Sequence, residues 1–179
     1  MKYIQYDIYR YYGTYNESLK QKILRPNGIK YLMVFRKYKN IKSSMLKNIY
    51  KYKLIKLSKK TFIQIQPDVN IGKGFYIGHD GPITINPKVQ IGENCNIGIG
   101  VTIGKENRGK RKGTPIIGNE VWIGTNAVIV GNIKIGNDVL IAPNSYVNFD
   151  VPDHSIVIGN PGKIIKRENA TEGYINRKV

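Results

Sequence analysis

Two histidines and one cysteine are the side chains of this 179-residue chain whose ordinary pKa values lie nearest neutrality. His79 stands in Gly78-His79-Asp80-Gly81 and His154 in Val151-Pro152-Asp153-His154. A neutral imidazole can take a proton from a weak acid at cellular pH. By its neighbours alone, however, His79 reads equally well as a surface-turn residue. A second candidate is the run from Gly104 to Thr114, in which Lys105, Arg108, Lys110, Arg111 and Lys112 face one anion, Glu106. Such a run is either a solvated loop or a grip on phosphate or another polyanion. Two distant histidines are too few for a three-histidine zinc site, and no metal is expected.

The elements that must position these residues announce themselves by a six-residue period. Isoleucine recurs at 65, 71 and 77, then at 85, 91, 97 and 103, then from 117 through 141, with Val147 closing the series. Four residues after most of these come Val69, Phe75, Val89, Cys95, Val101, Val121, Ala127, Ile133, Val139 and Ser145. An amphipathic helix would repeat every three or four residues and a simple strand every two. A six-residue unit instead describes one flat side of a solenoid whose coils of about eighteen residues stack around an aliphatic column. Cys95 falls on an inward position and reads as core. The register breaks twice, between Ile77 and Ile85 at His79 and between Ile103 and Ile117 at the basic run. Breaks in an otherwise consistent pattern are where function is expected. Ile85 and Ile103 should stack one coil apart, which would put the basic loop's root near the edge carrying His79.

Composition places a boundary near residue 60. Only two of 19 glycines precede it, but ten of 13 tyrosines do; it holds 16 basic and two acidic residues, a net +14 of the chain's +17. The expected organisation is a basic, Tyr-rich helical region over 1–60, a repeat domain over 61–167 with a loop at 104–114, and a tail over 168–179. Helices are expected at 17–24, 29–38 and from Ser43 or Ser44 to about Leu57. The basic region reads as a solvated helical cap, as a docking surface for anionic membrane or a lipid-linked glycan, or as a nucleic-acid surface; no motif supports the last. No apolar run reaches membrane-span length and the start lacks a signal-peptide core. The expected location is the cytoplasm, with a peripheral place on the inner face of the membrane if the basic region docks there.

The aliphatic-Gly-x-x-small-x unit resembles the hexapeptide repeat of left-handed parallel β-helix proteins. The run from Ile71 through His79 to Ile85 is similar to the segment around the active-site histidine of serine acetyltransferases. Gly100 to Gly104, the interrupting loop, Ile117 to Gly124 and Val151 to Lys163 continue the likeness over about residues 62–167. The resemblance implies an all-β, left-handed β-helix acyltransferase, a homotrimer using acetyl-CoA, with His79 as general base. It implies pantetheine contacts at Gly124, Thr125, Asn126, Ala142 and Pro143, and a CoA phosphate contact at Lys163. Gln64 matches the residue that orients the base, and Asp68 is a second candidate. A gamma carbonic anhydrase, of the same fold, would need a third histidine.

This chain also departs from that family. The positions of the second histidine and the arginine that hold the amino-acid acceptor carry Thr114 and Gly113, and the aspartate before the base is Gly78. On that ground a sugar hydroxyl of a cell-surface polysaccharide, as in capsule or exopolysaccharide O-acetylation, is expected as acceptor. Asn86, Asn94, Asn96, Tyr76 and Trp122 would supply neutral contacts, and the loop from Lys105 to Thr114 would meet acceptor or phosphate. The alternatives are serine O-acetylation and a non-catalytic trimeric scaffold.

Overall fold

The computed structural model describes residues 3–179. After Thr61 the chain winds into a parallel β-helix of three faces. The first face stacks Ile63–Ile65, Ile83–Ile85, Thr102–Gly104, Val128–Val130 and Tyr146–Val147. The second stacks Asn70–Ile71, Gln90–Ile91, Ile116–Ile117 and Lys134–Ile135. The third stacks Tyr76–Ile77, Asn96–Ile97, Val121–Ile123, Val139–Ile141 and Ser155–Ile158, and Lys163–Lys166 then pairs antiparallel to its last strand. The six-residue register is the inward column: all of its isoleucines and Val147 are at most 4% exposed. The smaller in-phase residues, from Val69 to Ser145, fill the space between them and are also buried. Complete burial of each isoleucine contributes on the order of 1.5–3 kcal/mol, so the column rather than any local propensity holds strands of two or three residues.

Corner glycines set how closely coils approach. A Cβ on Gly92 would lie 2.5 Å from the Gly118 carbonyl oxygen, and one on Gly118 would lie 2.5 Å from that of Gly136. Backbone leaves no room there for any side chain.

Among the described residues, four helices precede the coils. The first, α1 at Tyr3–Tyr12, was not foreseen; Ile4, Ile8, Tyr11 and Tyr12 pack it on the core, and the charges Asp7 and Arg10 are buried among them. The short α2, Leu19–Ile23, starts at a reciprocal cap between Ser18 and Gln21. α3 spans Asn27–Asn40 and buries Ile29, Tyr31, Leu32 and Phe35 over the first coil. α4, Ser44–Thr61, runs one turn longer than expected and ends at Phe62 in the left-handed conformation with φ 61°. Asp7 and Arg36 pair at 2.8 Å in full burial, and Arg36 also donates to the Ile71 and Gly72 carbonyls, each at 2.6 Å. Asp7 in turn accepts the Phe75 N–H at 3.0 Å. Burial pushes the Asp7 carboxyl up against the pull of Arg36, so this pair fixes geometry more than it adds net stability. Residues 168–179 fold back: Asn94 bonds both the N–H and the carbonyl of Val179, and Asn96 donates to the Tyr174 carbonyl at 3.1 Å.

Gly118→Ala should force two coils apart and destabilise by about 1–3 kcal/mol. Denaturant unfolding checks this, with Gly173→Ala, whose Cβ meets nothing within 4 Å although its φ is +77°, as a milder comparison. Equal losses would show that coil contact is not the cause.

Candidate active site

His79 is exposed on the turn between the third and first faces. Three parts of the helical region converge on that turn. The Tyr11 hydroxyl donates to the Ile77 carbonyl at 2.6 Å and accepts the Ile77 N–H at 3.0 Å. Asn27, at the start of α3, donates to the Asp80 carboxylate. Gly81 N–H donates to the Thr61 carbonyl at 3.1 Å and Ile83 N–H to that of Phe62 at 3.2 Å, at the end of α4. Gly28 is required here, since a Cβ would lie 2.5 Å from the Ile77 oxygen and 2.8 Å from the Tyr11 hydroxyl.

A hollow of about 600 Å³ opens beside His79. Its floor is the outer side of the third face, with Tyr76, Asn96 and Trp122; its walls are Arg10 and Tyr11 of α1 and Tyr174, Asn176 and Arg177 of the tail. Arg10, 5% exposed, donates to the Asn176 carbonyl at 2.6 Å and to Asn96, while its Nε has no partner; burial lowers its pKa. Arg177 donates to the Tyr11 carbonyl at 2.6 Å. Trp122 and Tyr174 lie 4.9 Å apart. The lining holds two guanidiniums and no carboxylate. Sequence reasoning missed Arg10, Tyr11, Tyr174 and Arg177, because they lie outside the repeat; the one available signal was Asp7, a lone acid among cations, which marks α1 as packed.

The register aligns other singled-out residues with His79. Ile77 pairs Ile97, Ile97 pairs Ile123, and Ile123 pairs Ile141. The residues that follow, Gly78-His79, Gly98-Ile99, Gly124-Thr125 and Ala142-Pro143, therefore stack along one edge. It spans about 14 Å at the interstrand spacing. Thr125 lines the hollow, and Asn126 sits at the next position with φ 60°. Lys163 is exposed at the start of the antiparallel strand, beyond the last coil.

Gln64 and Asp68 are not brought into the hollow. Gln64 lines a separate recess with Ser58 and Phe62, and Asp68 is exposed. The basic loop lies elsewhere too. Ile85 and Ile103 do stack, but His79 precedes the first-face strand whereas the loop follows it, so within one protomer they occupy opposite ends of that face. Lys105, Arg108, Lys110, Arg111 and Lys112 are exposed, Arg111 pairs Glu106 at 3.2 Å, and the Thr114 hydroxyl donates to the Lys88 carbonyl at 3.2 Å. Asn86 and Asn94 are also outside the hollow, Asn94 holding the tail. Cys95 is wholly buried, which pushes its thiol up to about 12 and leaves it unreactive. Among the described residues no cluster of three or more His, Cys, Asp or Glu is arranged to hold a metal.

His154 belongs to the tail's anchor. Its Nδ1 lies 2.9 Å from Asp138, which also accepts the Ala170 and Thr171 N–H groups, each at 3.0 Å, and the Thr171 hydroxyl at 2.7 Å. Burial pushes the Asp138 carboxyl up, but hydrogen bonds from His154, Thr171 and Ala170 outweigh it and leave it lowered; the bond to Asp138 raises His154.

Residues 114–148 match the family described as bacterial transferase hexapeptide (six repeats). A serine acetyltransferase of Staphylococcus aureus strain Mu50 is 40% identical over 113 residues, 63% of this chain and 53% of that protein. The chain thus spans about half the length of the curated relatives it matches. The crystal structure of Neisseria gonorrhoeae serine acetyltransferase in complex with serine aligns with a TM-score of 0.76 at 28% identity, covering 92% of this chain and 68% of that one. A serine acetyltransferase in complex with coenzyme A from Brucella abortus strain S19 shares the fold, with a TM-score of 0.76 at 24% identity over 92% of this chain and 66% of that one. The architecture is the left-handed β-helix with a small N-terminal helical region expected from the repeat. Over residues 114–148 the chain is similar to the hexapeptide-repeat family, and the relatives it matches are serine acetyltransferases.

These relatives overturn the expectation of a sugar acceptor in polysaccharide synthesis, since they are named for serine and one is solved with serine bound. The expectation rested on charged residues missing at Gly78, Gly113 and Thr114. That inference left out the walls of the hollow, where α1 and the tail bring Arg10 and Arg177 into the lining that His79 shares.

The Asp138 contribution to holding the tail is complete above about pH 3.9, the ordinary carboxylate value, and fades as pH falls through its lowered folded value. The His154 share is complete below about pH 6.5 and fades as pH rises through its raised value. Asp138→Ala, which leaves buried donors unpaired at a cost of about 1–3 kcal/mol, should open residues 168–179 to limited proteolysis at neutral pH. His154→Ala should do so less. A tail as resistant in Asp138→Ala as in wild type would contradict this anchor.

Proposed function

We propose that the chain is an acetyl-CoA-dependent serine O-acetyltransferase that works as a homotrimer with His79 as general base. The observation that carries the reading is that His79 opens onto a hollow at the end of an edge where the small corners Gly98, Gly124-Thr125 and Ala142-Pro143 stack. Small residues along that edge let backbone approach a linear, amide-bearing arm closely. Acetyl-CoA, when bound, supplies an activated acetyl thioester. His79 accepts the proton of the serine hydroxyl as its oxygen attacks the carbonyl carbon, then returns the proton to the departing sulfur, giving O-acetylserine and CoA. The cationic lining suits the acceptor's carboxylate, and the faces of Tyr76, Trp122 and Tyr174 suit its ammonium group.

In a trimer the loop at the far end of the first face would extend toward the neighbouring protomer, where Lys105, Arg108, Lys110, Arg111 and Lys112 would meet CoA phosphates. Lys163 is proposed for the same role at the other end of the edge. The family name of the relatives and the bound serine of the Neisseria protein support this reading; a non-catalytic scaffold would need neither the hollow nor a histidine in it.

Purified chain mixed with acetyl-CoA and L-serine should release thiol in step with O-acetylserine. His79→Ala should lower the rate by about a hundredfold or more, the range for a lost general base, with the oligomer's mass unchanged. His154→Ala should stay near wild type. Absence of serine-dependent thiol release would overturn the proposal, and equal losses from both variants would overturn the assignment of a single base.

A further inference from the structure

Independently of acetyl transfer, we propose that α4 is a docking surface for an anionic lipid bilayer. The helix spans Ser44–Thr61 and has Leu54 and Thr61 as its buried residues. At about 100° per residue, Met45, Ile49 and Tyr52 fall within about 60° of one another on the side opposite Leu54. They are 68%, 43% and 65% exposed. Leu46, Ile55 and Phe62 widen the exposed apolar area on either side. Lys56 and Lys59 continue the same row toward the C-terminus, Lys53 and Lys60 stand beside it, and Lys47 and Lys51 complete six lysines; no acidic residue lies between 44 and 61.

An exposed apolar row set among lysines is the pattern of a helix that lies in the plane of a membrane interface. Among the described residues no helix is long and apolar enough to cross a membrane, so the contact is one of resting on the surface. Charge decides between the two occupants that would cover an apolar row. Pairing with α4 of a second copy would set Lys53, Lys56, Lys59 and Lys60 against the same four lysines with no acid between them, whereas acidic headgroups attract all four. Each lysine that reaches the surface strengthens binding by a factor on the order of five, and the surrounding net charge of +14 over residues 1–60 adds to the field. The apolar row supplies a share that salt does not screen.

Co-sedimentation of the full chain with phosphatidylcholine vesicles, with and without phosphatidylglycerol, tests this. Binding should require the acidic lipid and weaken at least tenfold as the Debye length falls from about 10 Å at 0.1 M salt to about 3 Å at 1 M. Met45→Ser, Ile49→Ser and Tyr52→Ser together should remove the binding that survives salt. Lys56→Gln, Lys59→Gln and Lys60→Gln together should remove most of the rest. Circular dichroism and light scattering confirm that both variants keep the wild-type fold and mass. Equal, negligible binding of wild type to both vesicle types overturns the proposal. So does unchanged binding of the serine variant, or its dissociation to a smaller species, which would place the row between copies of the chain.

Discussion

Every strand of the β-helix is two to four residues long, too short to persist by itself, and stands only because the coil above and the coil below lie about 4.8 Å away. That spacing is kept from inside by the isoleucine column and from outside by corners such as Gly92 and Gly118, where backbone meets backbone with no Cβ between. The consequence for function is a ruler. Once Ile77, Ile97, Ile123 and Ile141 stack, Gly78-His79, Thr125 and Pro143 must line one edge at fixed intervals, whatever their own side chains do. The proposed site for a long, thin ligand would thereby be laid out by the core, with edge residues that need only be small.

The coils do not by themselves hold His79 still, because its turn is an interruption of their pattern. The helical region does that work through Tyr11 on both polar groups of the Ile77 backbone, Asn27 on Asp80, and the end of α4 on Gly81. Asp7 and Arg36 in turn fix α1 and α3 to the first coil at Ile71, Gly72 and Phe75. The tail closes the opposite wall, tied by Asp138 at one end and by Asn94, Asn96 and Arg10 at the other. His79 thus sits where three parts of the chain, distant in sequence, meet.

What was legible in the sequence follows from this division. The inward column was readable residue by residue because a six-residue period has one physical explanation, and the two interruptions stood out against it. α1 was missed because its apolar row, Ile4, Ile8, Tyr11 and Tyr12, is interleaved with Asp7 and Arg10, charges that are buried only through long-range polar contacts. The walls of the hollow were invisible for the same reason: Arg10, Tyr174 and Arg177 belong to no repeat and acquire meaning only when the termini fold against the third face. That omission is what made a neutral acceptor look reasonable from Gly78, Gly113 and Thr114. The relation of the basic loop to His79 was misjudged because stacking of Ile85 on Ile103 fixes the row, not which end of the strand each interruption leaves from.

A crystal structure of the chain with CoA and serine bound would test the account most directly. It should place the sulfur and the serine hydroxyl beside His79, with the pantetheine arm running past Gly98, Thr125 and Pro143 and serine within the hollow walled by Arg10 and Arg177. CoA lying along the first or second face, or serine outside that hollow, would contradict it.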